Sequence, residues 1–400
     1  MTTRSERWSG SPRVAILTYS TRPRGGVVHA LRLAEELHRL GQSVHLFALG
    51  APAAGFFRDV AAPCTIFQAP PPAPTLEERV FASLAALTEG LVSEAAGGFD
   101  IAHAEDCIAA RAALAARDRG ADWLVLRTVH HVDDFTTHAL VECQRRSIVE
   151  PDALLVVSKF WRGWLREEYG VEAAVVTNGV DVDRFRRPPG FDPDDLRHRI
   201  GARGRFLFLT VGGIEPRKGS LELVEALAKV KAAIHPPPIL AVVGGHSFQD
   251  YAEYRAHVLE RADHLGLELG RDIALLGTVE DAELPGWYWA ADAFVFPSVK
   301  EGWGLVVLEA LAAGLPVVAT DLPVFSEYLT NGRDALLARA GDASALTEAM
   351  LRFVGDPDLR ARLGGMGPTV AGRFSWEASA RAHADLYRRL LVSRSERGRS

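Results

Sequence analysis

Cysteine is scarce in this chain of 400 residues, which contains only Cys64, Cys107 and Cys143. The three lie far apart and include no C-x-x-C pair, so their spacing predicts neither a disulfide framework nor a zinc site. The interpretation that the sequence favours is three thiols in a reducing compartment.

Long apolar runs are lacking as well. The richest one, residues 304–320, contains Glu309 and two glycines, so it predicts no membrane span. Residues 1–12 hold Arg4 and Arg7 with no apolar stretch behind them, and no signal peptide is expected. We therefore expect a cytoplasmic protein.

Lysine is rare too, since only five of the 45 basic residues are lysines. Against 51 acidic residues these give a formal net charge of -6, which argues against a nucleic-acid partner because such proteins carry clustered positive charge. A hydrophobic content of 48% with 24% charged residues is ordinary for a globular protein. The length suits two α/β domains.

Short β-rich segments alternate with helical ones from end to end, which predicts doubly wound parallel sheets. A break falls at residues 186–195, which read RRPPGFDPDD and are typical of a linker. We expect one domain over residues 1–186, a linker over 187–203 and a second domain over 204–374. A last helix at 375–392 follows the second sheet, and a polar tail at 393–400 is expected to be disordered.

The most informative segment is residues 301–309, which read EGWGLVVLE after a predicted strand at 293–296. Its glycines allow close backbone approach, and a helix beginning near Gly304 offers free N–H groups to an anion. Glu301 and Glu309 are expected roughly 8–12 Å apart, which suits the two ends of an extended donor. The alternative is a glycine-rich turn before a buried helix with solvated glutamates.

Five further segments accompany this one in a fixed order. They are Gly25-Gly26 after the first strand, TNGVD at 177–181, PRKG at 216–219, GTV at 277–279 and FSW at 374–376. Residues 301–309 resemble the E-x7-E signature of the retaining family 4 glycosyltransferases of the GT-B fold, a group with relatives similar to glycogen and sucrose synthases. The five further segments lie where that family would have them. The resemblance covers nearly the whole chain.

The resemblance implies two Rossmann-like domains facing a central cleft. Residues 1–186 would form the acceptor side, with the 375–392 helix packing back on them, and 204–374 the donor side. The activity implied is hexosyltransferase-like transfer from a nucleoside-diphosphate sugar to an acceptor hydroxyl, without metal or cofactor. The alternatives are a non-catalytic nucleotide-sugar-binding subunit, a GT-B phosphorylase and an epimerase.

The resemblance also implies roles for particular residues. His130, Glu301 and Lys218 would be catalytic, with Lys218 on the donor phosphates. The donor-binding set would be Gly25, Gly26, Arg217, Lys218, Val279, Glu301, Gly302, Trp303, Gly304, Leu305 and Glu309, the last of these on the ribose. One departure is Gly213, which stands where the family usually has an arginine, and Arg217 is the candidate replacement cation.

Two features invite other interpretations. His130 and His131 precede Asp133 and Asp134, a metal-like grouping, but no further spaced ligand set accompanies them, so no metal is expected. The Asp181-Val182-Asp183 run mimics a D-x-D metal clamp, although a hinge turn with Asp183 capping a helix is favoured.

The segment 159–166 reads KFWRGWLR, so aromatic and cationic residues share one short helix. A weak membrane-surface contact is one interpretation, and ordinary packing with a charged outer face is favoured. A dinucleotide oxidoreductase is disfavoured because neither half has the full G-x-G-x-x-G fingerprint with its acidic partner. The sequence leaves open the donor base, the sugar, the acceptor, the oligomeric state and whether His130 or His131 faces the donor.

Overall fold

The computed structural model describes residues 12–94, 98–245, 249 and 251–397. The chain divides into two compact units. Unit 1 comprises Met1–Gly179 and Trp376–Ser400, and unit 2 comprises Val180–Ser375. The 187–203 segment that the sequence suggests as a linker lies within unit 2. The two units are described separately.

Unit 1 is built on seven parallel strands in the order β3-β2-β1-β4-β5-β6-β7. The central strands are buried on both faces, as expected of a parallel sheet covered by helices. The strands are β1 (Arg13–Thr18), β2 (Ser43–Gly50), β3 (Cys64–Gln68), β4 (Ile101–Ala104), β5 (Leu124–Val129), β6 (Ala153–Val156) and β7 (Ala173–Val175).

In the part of unit 1 that the structure describes, six helices accompany this sheet. They are α1 (Gly25–Arg39), α2 (Leu76–Glu94), α3 (Cys107–Asp118), α4 (His138–Val149), α5 (Lys159–Tyr169) and, from the far end of the chain, α15 (Trp376–Arg397). Helix α15 belongs to the hydrophobic core of unit 1, because Ala384, Tyr387 and Leu391 are buried there with Leu31 of α1.

The expectation of a disordered tail from residue 393 is wrong for residues 393–397. Helix α15 continues through Arg397. Arg394 Nη2 lies 2.8 Å from Asp122 Oδ1, and this pair ties the last turns of the helix to unit 1. Residues 398–400 lie outside the described residues.

Unit 2 contains a six-stranded parallel sheet in the order β10-β9-β8-β11-β12-β13. Its strands are β8 (Leu207–Val211), β9 (Ile239–Val243), β10 (Ile273–Gly277), β11 (Ala293–Phe296), β12 (Val317–Thr320) and β13 (Leu336–Ala338).

The helices of unit 2 are α6 (Val182–Phe185), α7 (Asp194–Arg199), α8 (Ser220–Ala233), α9 (Ala252–His264), α10 (Leu284–Ala290), α11 (Leu305–Ala312), α12 (Pro323–Ser326), α13 (Ala343–Gly355) and α14 (Pro357–Ala371). Helix α7 lies in the suggested linker and is fastened to the rest of unit 2, since Arg197 Nη2 lies 2.8 Å from Asp292 Oδ1. Among the helices of the described residues, not one combines the length and the apolar character that a membrane crossing requires.

Both sheets have a topological switch point, where the strand order reverses direction. It lies between β1 and β4 in unit 1 and between β8 and β11 in unit 2. Open α/β sheets bind their ligands beyond the carboxyl ends of the strands at such points. The loops after these four strands are therefore the first places to look for a site.

Candidate active site

A 3-10 helix, Pro216–Lys218, follows β8 in unit 2 and ends at Gly219. Gly219 has a φ of 64°, and a Cβ there would lie 2.0 Å from the carbonyl oxygen of Pro297. Only glycine fits both the left-handed backbone and this approach. The glycine in PRKG thus allows Lys218 to sit against the loop that follows β11.

The same two loops are joined by a backbone hydrogen bond. The N–H of Val299 donates to the carbonyl oxygen of Arg217 over 2.8 Å. The loop after β11 is therefore held in register with the 3-10 helix, although the two are about 80 residues apart in sequence.

With the two loops in this register, Lys218 forms an ion pair with Glu301. The Nζ of Lys218 lies 2.5 Å from Glu301 Oε1, and Ser298 Oγ donates to the same oxygen over 3.0 Å. Both charged side chains are largely buried, with 14% and 8% of their surfaces exposed. The Lys218 ammonium also lies 4.5 Å from the centre of the Phe296 ring, within cation–π range.

The neighbouring charges and the burial shift the pKa values of Glu301 and Lys218. Burial alone would raise the pKa of Glu301, but the charges of Lys218 and Arg217 and the hydrogen bonds from Lys218 and Ser298 hold it below its ordinary value. Burial lowers the pKa of Lys218, and Arg217 lowers it further against the attraction of Glu301. The carboxylate is thus ionised at neutral pH.

Arg217, the expected replacement cation, joins the same group. Its Nη1 lies 3.3 Å from Glu301 Oε1, and its Nε lies 2.9 Å from Glu215 Oε2. At Gly213, a Cβ would lie 2.8 Å from the carbonyl oxygen of Gly245. The absence of a side chain at 213 therefore has a steric reason in this chain.

The helix that the sequence places near Gly304 is α11, and Gly304 is its N-cap with a φ of 87°. A Cβ on Gly304 would lie 2.6 Å from the Phe325 ring, so glycine is required there as well. Gly302 and Trp303 are buried just before it, and Leu305 is the half-buried first residue of the helix. The N–H groups of a first helical turn lack acceptors farther back in the helix, and this helix start directly follows the loop that holds Glu301.

Trp303 contributes its ring to packing. The side chain is 3% exposed, and its ring lies 5.0 Å from Tyr328 and 5.3 Å from Phe374. Its carbonyl oxygen accepts a hydrogen bond from Tyr328 Oη over 2.9 Å. A donor contact at Trp303 would therefore use the backbone.

Glu309 is half-buried in α11 and has a partner that sequence reasoning missed. The Oη of Tyr288, in α10, donates to Glu309 Oε2 over 2.8 Å. Burial and the Glu309 charge raise the pKa of Tyr288 well above its ordinary value, so it stays a donor. Val279 lies half-buried in the loop after β10, at the same carboxyl edge of the sheet.

In unit 1 the predicted residues Gly26 and His130 come together. Helix α1 begins at Gly25, and a Cβ on Gly26 would lie 3.7 Å from His130 Cδ2. His130 follows β5 and retains 15% side-chain exposure, whereas His131 is 33% exposed and lies 3.4 Å from Asp133.

Two residues of this region were missed by sequence reasoning. Glu105, directly after β4, places Oε2 3.0 Å from His130 Nε2 and 3.4 Å from His29 Nε2. A carboxylate at the carboxyl end of a strand and a histidine on the apolar face of α1 were the available signals. Burial dominates their pKa values: it raises that of Glu105 to about 7 and lowers those of His29 and His130 to about 4 and about 3.

The Asp181-Val182-Asp183 run does form a turn before a helix, but the capping residue is not Asp183. Asp181 Oδ1 accepts a hydrogen bond from the N–H of Arg184 over 3.1 Å, which makes Asp181 the N-cap of α6. Asp183 instead lies 3.0 Å from Arg186. In α5, Trp161 and Leu165 face the core, and Phe160 is 37% exposed.

Comparisons with known proteins agree with this architecture. The family model described as "Glycosyl transferases group 1" matches residues 194–369, and that described as "Glycosyltransferase Family 4" matches residues 23–184. The chain is 31% identical to the D-inositol 3-phosphate glycosyltransferase of Corynebacterium jeikeium, over 94% of this chain and 97% of that protein. It is 29% identical to the phosphatidyl-myo-inositol mannosyltransferase of Mycobacterium leprae, over 95% and 97%.

Solved structures share the fold. Sucrose-phosphate synthase from Thermosynechococcus elongatus superposes with a TM-score of 0.79 at 22% identity, covering 96% of this chain and all of that one. Anabaena HepE in complex with UDP and glucose gives 0.74 at 20% identity, covering 94% and 99%. Two parallel-sheet Rossmann-like units of this kind are those of the GT-B fold. The chain belongs to the group 1, or family 4, glycosyltransferases.

Proposed function

We propose that this glycosyltransferase takes its sugar from a nucleoside-diphosphate sugar and transfers it, with retention of configuration, to a hydroxyl of a myo-inositol phosphate. The observation that carries the donor class is the cluster of Lys218, Arg217 and Glu301 at the switch point of unit 2. The acceptor class is supported by the names of two relatives. One name gives D-inositol 3-phosphate and the other gives phosphatidyl-myo-inositol.

The donor site is built for a multiply charged group. Two cations and the free N–H groups at the start of α11 lie around one short loop, which suits a diphosphate. Glu309 in the same helix would accept hydrogen bonds from the ribose hydroxyls, with Tyr288 fixing one of its oxygens. His130 and Glu301 would orient the transferring sugar, as the family resemblance implies.

The chemical step breaks the bond between the anomeric carbon and the diphosphate oxygen. The acceptor hydroxyl forms its new bond on the same face, and its proton passes to the departing phosphate oxygen. Negative charge grows on the diphosphate as the bond breaks, so Lys218 contributes more to the transition state than to the ground state. The chemistry assigned to this chain's own groups is electrostatic, and it uses no divalent metal and no cofactor.

The test uses the purified protein with UDP-glucose, UDP-N-acetylglucosamine and GDP-mannose, each with D-inositol 3-phosphate or with phosphatidylinositol vesicles. We expect release of nucleoside diphosphate that depends on the acceptor, and NMR of the product should show the anomeric configuration of the donor. An inverted product would overturn the retaining mechanism. Binding of a donor without turnover on any acceptor would favour the non-catalytic binding subunit instead.

A further inference from the structure

Two buried side chains and one partly exposed side chain of unit 1 converge beyond its switch point. His29 comes from α1, Glu105 from the end of β4 and His130 from the end of β5. One nitrogen or oxygen of each lies within 4.8 Å of the others. This convergence has the composition of a two-histidine, one-carboxylate metal site.

The tautomer of His29 is set by its other neighbour. Its Nδ1 lies 2.8 Å from Asn178 Oδ1, an oxygen that can only accept, so Nδ1 carries the proton. The Nε2 atom therefore presents a lone pair toward Glu105. It is buried and makes no hydrogen bond to the described residues, and the same holds for Glu105 Oε1.

A lone pair facing a carboxylate repels it unless a cation or a proton lies between them. The neighbouring imidazole does not resolve this conflict. His103 already contacts Tyr387 Oη at 2.7 Å through Nδ1 and Thr128 Oγ1 at 2.8 Å through Nε2. A cation among His29, Glu105 and His130 would remove this repulsion, as would a proton on Glu105, and the metal titration below distinguishes the two.

The spacing suits Zn²⁺. Bonds of about 2.0–2.1 Å in a tetrahedral site place neighbouring ligand atoms about 3.3 Å apart. The two distances from Glu105 Oε2, 3.0 Å to His130 and 3.4 Å to His29, bracket that value. Asn178 supports His29 through its non-ligating nitrogen, the usual outer contact of a metal-bound histidine.

We propose that His29, Glu105 and His130 form a Zn²⁺ site, with water in the fourth position on the exposed side of His130. Binding needs no sugar substrate and is independent of the proposed function. A second consequence rests on that function: Zn²⁺ on His130 withdraws the imidazole from the sugar and inhibits transfer. The ion is then an inhibitor and takes no part in the transfer.

The binding test uses the purified chain stripped of metal with EDTA and titrated with Co²⁺ as a spectroscopic stand-in. We expect visible d–d absorption typical of a tetrahedral site, lost on addition of Zn²⁺. Calorimetry then gives the Zn²⁺ affinity of the wild type and variants. Asn178→Ala should weaken it by about 10–100-fold, and His130→Gln and Glu105→Gln by more.

The matched control is His131→Gln, because this neighbouring histidine lies outside the cluster. The substitution should leave the Zn²⁺ affinity unchanged. Circular dichroism checks that each variant is folded, and partly exposed His130 provides a test even where a change at buried His29 disrupts unit 1. The site is refuted by a Co²⁺ titration without d–d absorption, or by an affinity that His130→Gln leaves intact. Zn²⁺ that binds without inhibiting transfer would instead refute the role of His130.

Discussion

The switch points of the two units have the same topology and different chemistry. In unit 2, the side chains of Lys218 and Arg217 both contact Glu301, so two cationic groups lie beside one carboxylate. In unit 1, Glu105 is surrounded by His29 and His130, whose pKa values burial lowers to about 4 and about 3. The first suits a fixed anion such as a diphosphate, and the second suits uncharged hydroxyls or a borderline-soft cation.

The comparison predicts that Lys218→Ala has the largest effect. On the proposed mechanism Lys218 stabilises the departing charge, so its removal should lower kcat by about 10²–10³-fold and change KM less. Steady-state kinetics with saturating acceptor measures both constants, and Lys229→Ala, on α8 of the same unit, is the control for loss of a lysine. An effect confined to KM would mean that Lys218 binds only the ground-state donor.

Glu309→Ala should weaken donor binding by about 1.5–3 kcal/mol, the usual contribution of a hydrogen bond to a charged group. Calorimetry with the nucleoside diphosphate measures this change. Tyr288→Phe is the matched control, because it removes the hydrogen bond to Glu309 and keeps the carboxylate. The ribose role is rejected if Glu309→Ala binds the nucleotide as tightly as Tyr288→Phe and the wild type do.

Gly213→Ala tests the steric reason for the missing side chain. Its Cβ would lie 2.8 Å from the Gly245 carbonyl oxygen, so we expect a loss of about 1–3 kcal/mol in the free energy of unfolding. Gly365→Ala, in α14 with open space around it, should instead stabilise by about 0.5–1 kcal/mol. Urea denaturation of both variants measures these changes. The steric explanation is contradicted if the two substitutions change the free energy of unfolding in the same direction.

The smallest expected effect is that of metal removal. On the proposed mechanism, cations, amides and a helix start in unit 2 meet the donor charge, so transfer should continue in EDTA. The assay compares initial rates with and without the chelator, after which Mg²⁺ or Mn²⁺ is added back. An enzyme that is inactive in EDTA and restored by either ion would contradict the electrostatic mechanism.

The sequence predicted most of the fold because its signals are local. Residues 293–296 were predicted as a strand and form β11, and the helix expected near Gly304 begins at Leu305. Strands β3 and β13 carry no comparable local signal, because their place at the sheet margins is decided by tertiary pairing.

The site was predictable only as separate residues. The PRKG and EGWG segments each indicated an anion site, but nothing local in either shows that Lys218 and Glu301 form an ion pair. That contact depends on the missing side chain of Gly219, which allows the carbonyl group of Pro297 to lie close to the backbone. His29 was missed for the same reason, because a histidine within an apolar helix face is unremarkable until Glu105 lies opposite it.

The pairing of Lys218 with Glu301 has a consequence for selectivity. A buried ammonium that already has its own carboxylate is not an open anion site, so an incoming ligand must exchange with an internal counter-ion. Chloride or a single phosphate offers little more than the carboxylate it would replace. On the proposed role of Lys218, a diphosphate offers several oxygens to both cations and to the start of α11 at once. Discrimination against the small anions of the cell is then a property of the resting ion pair.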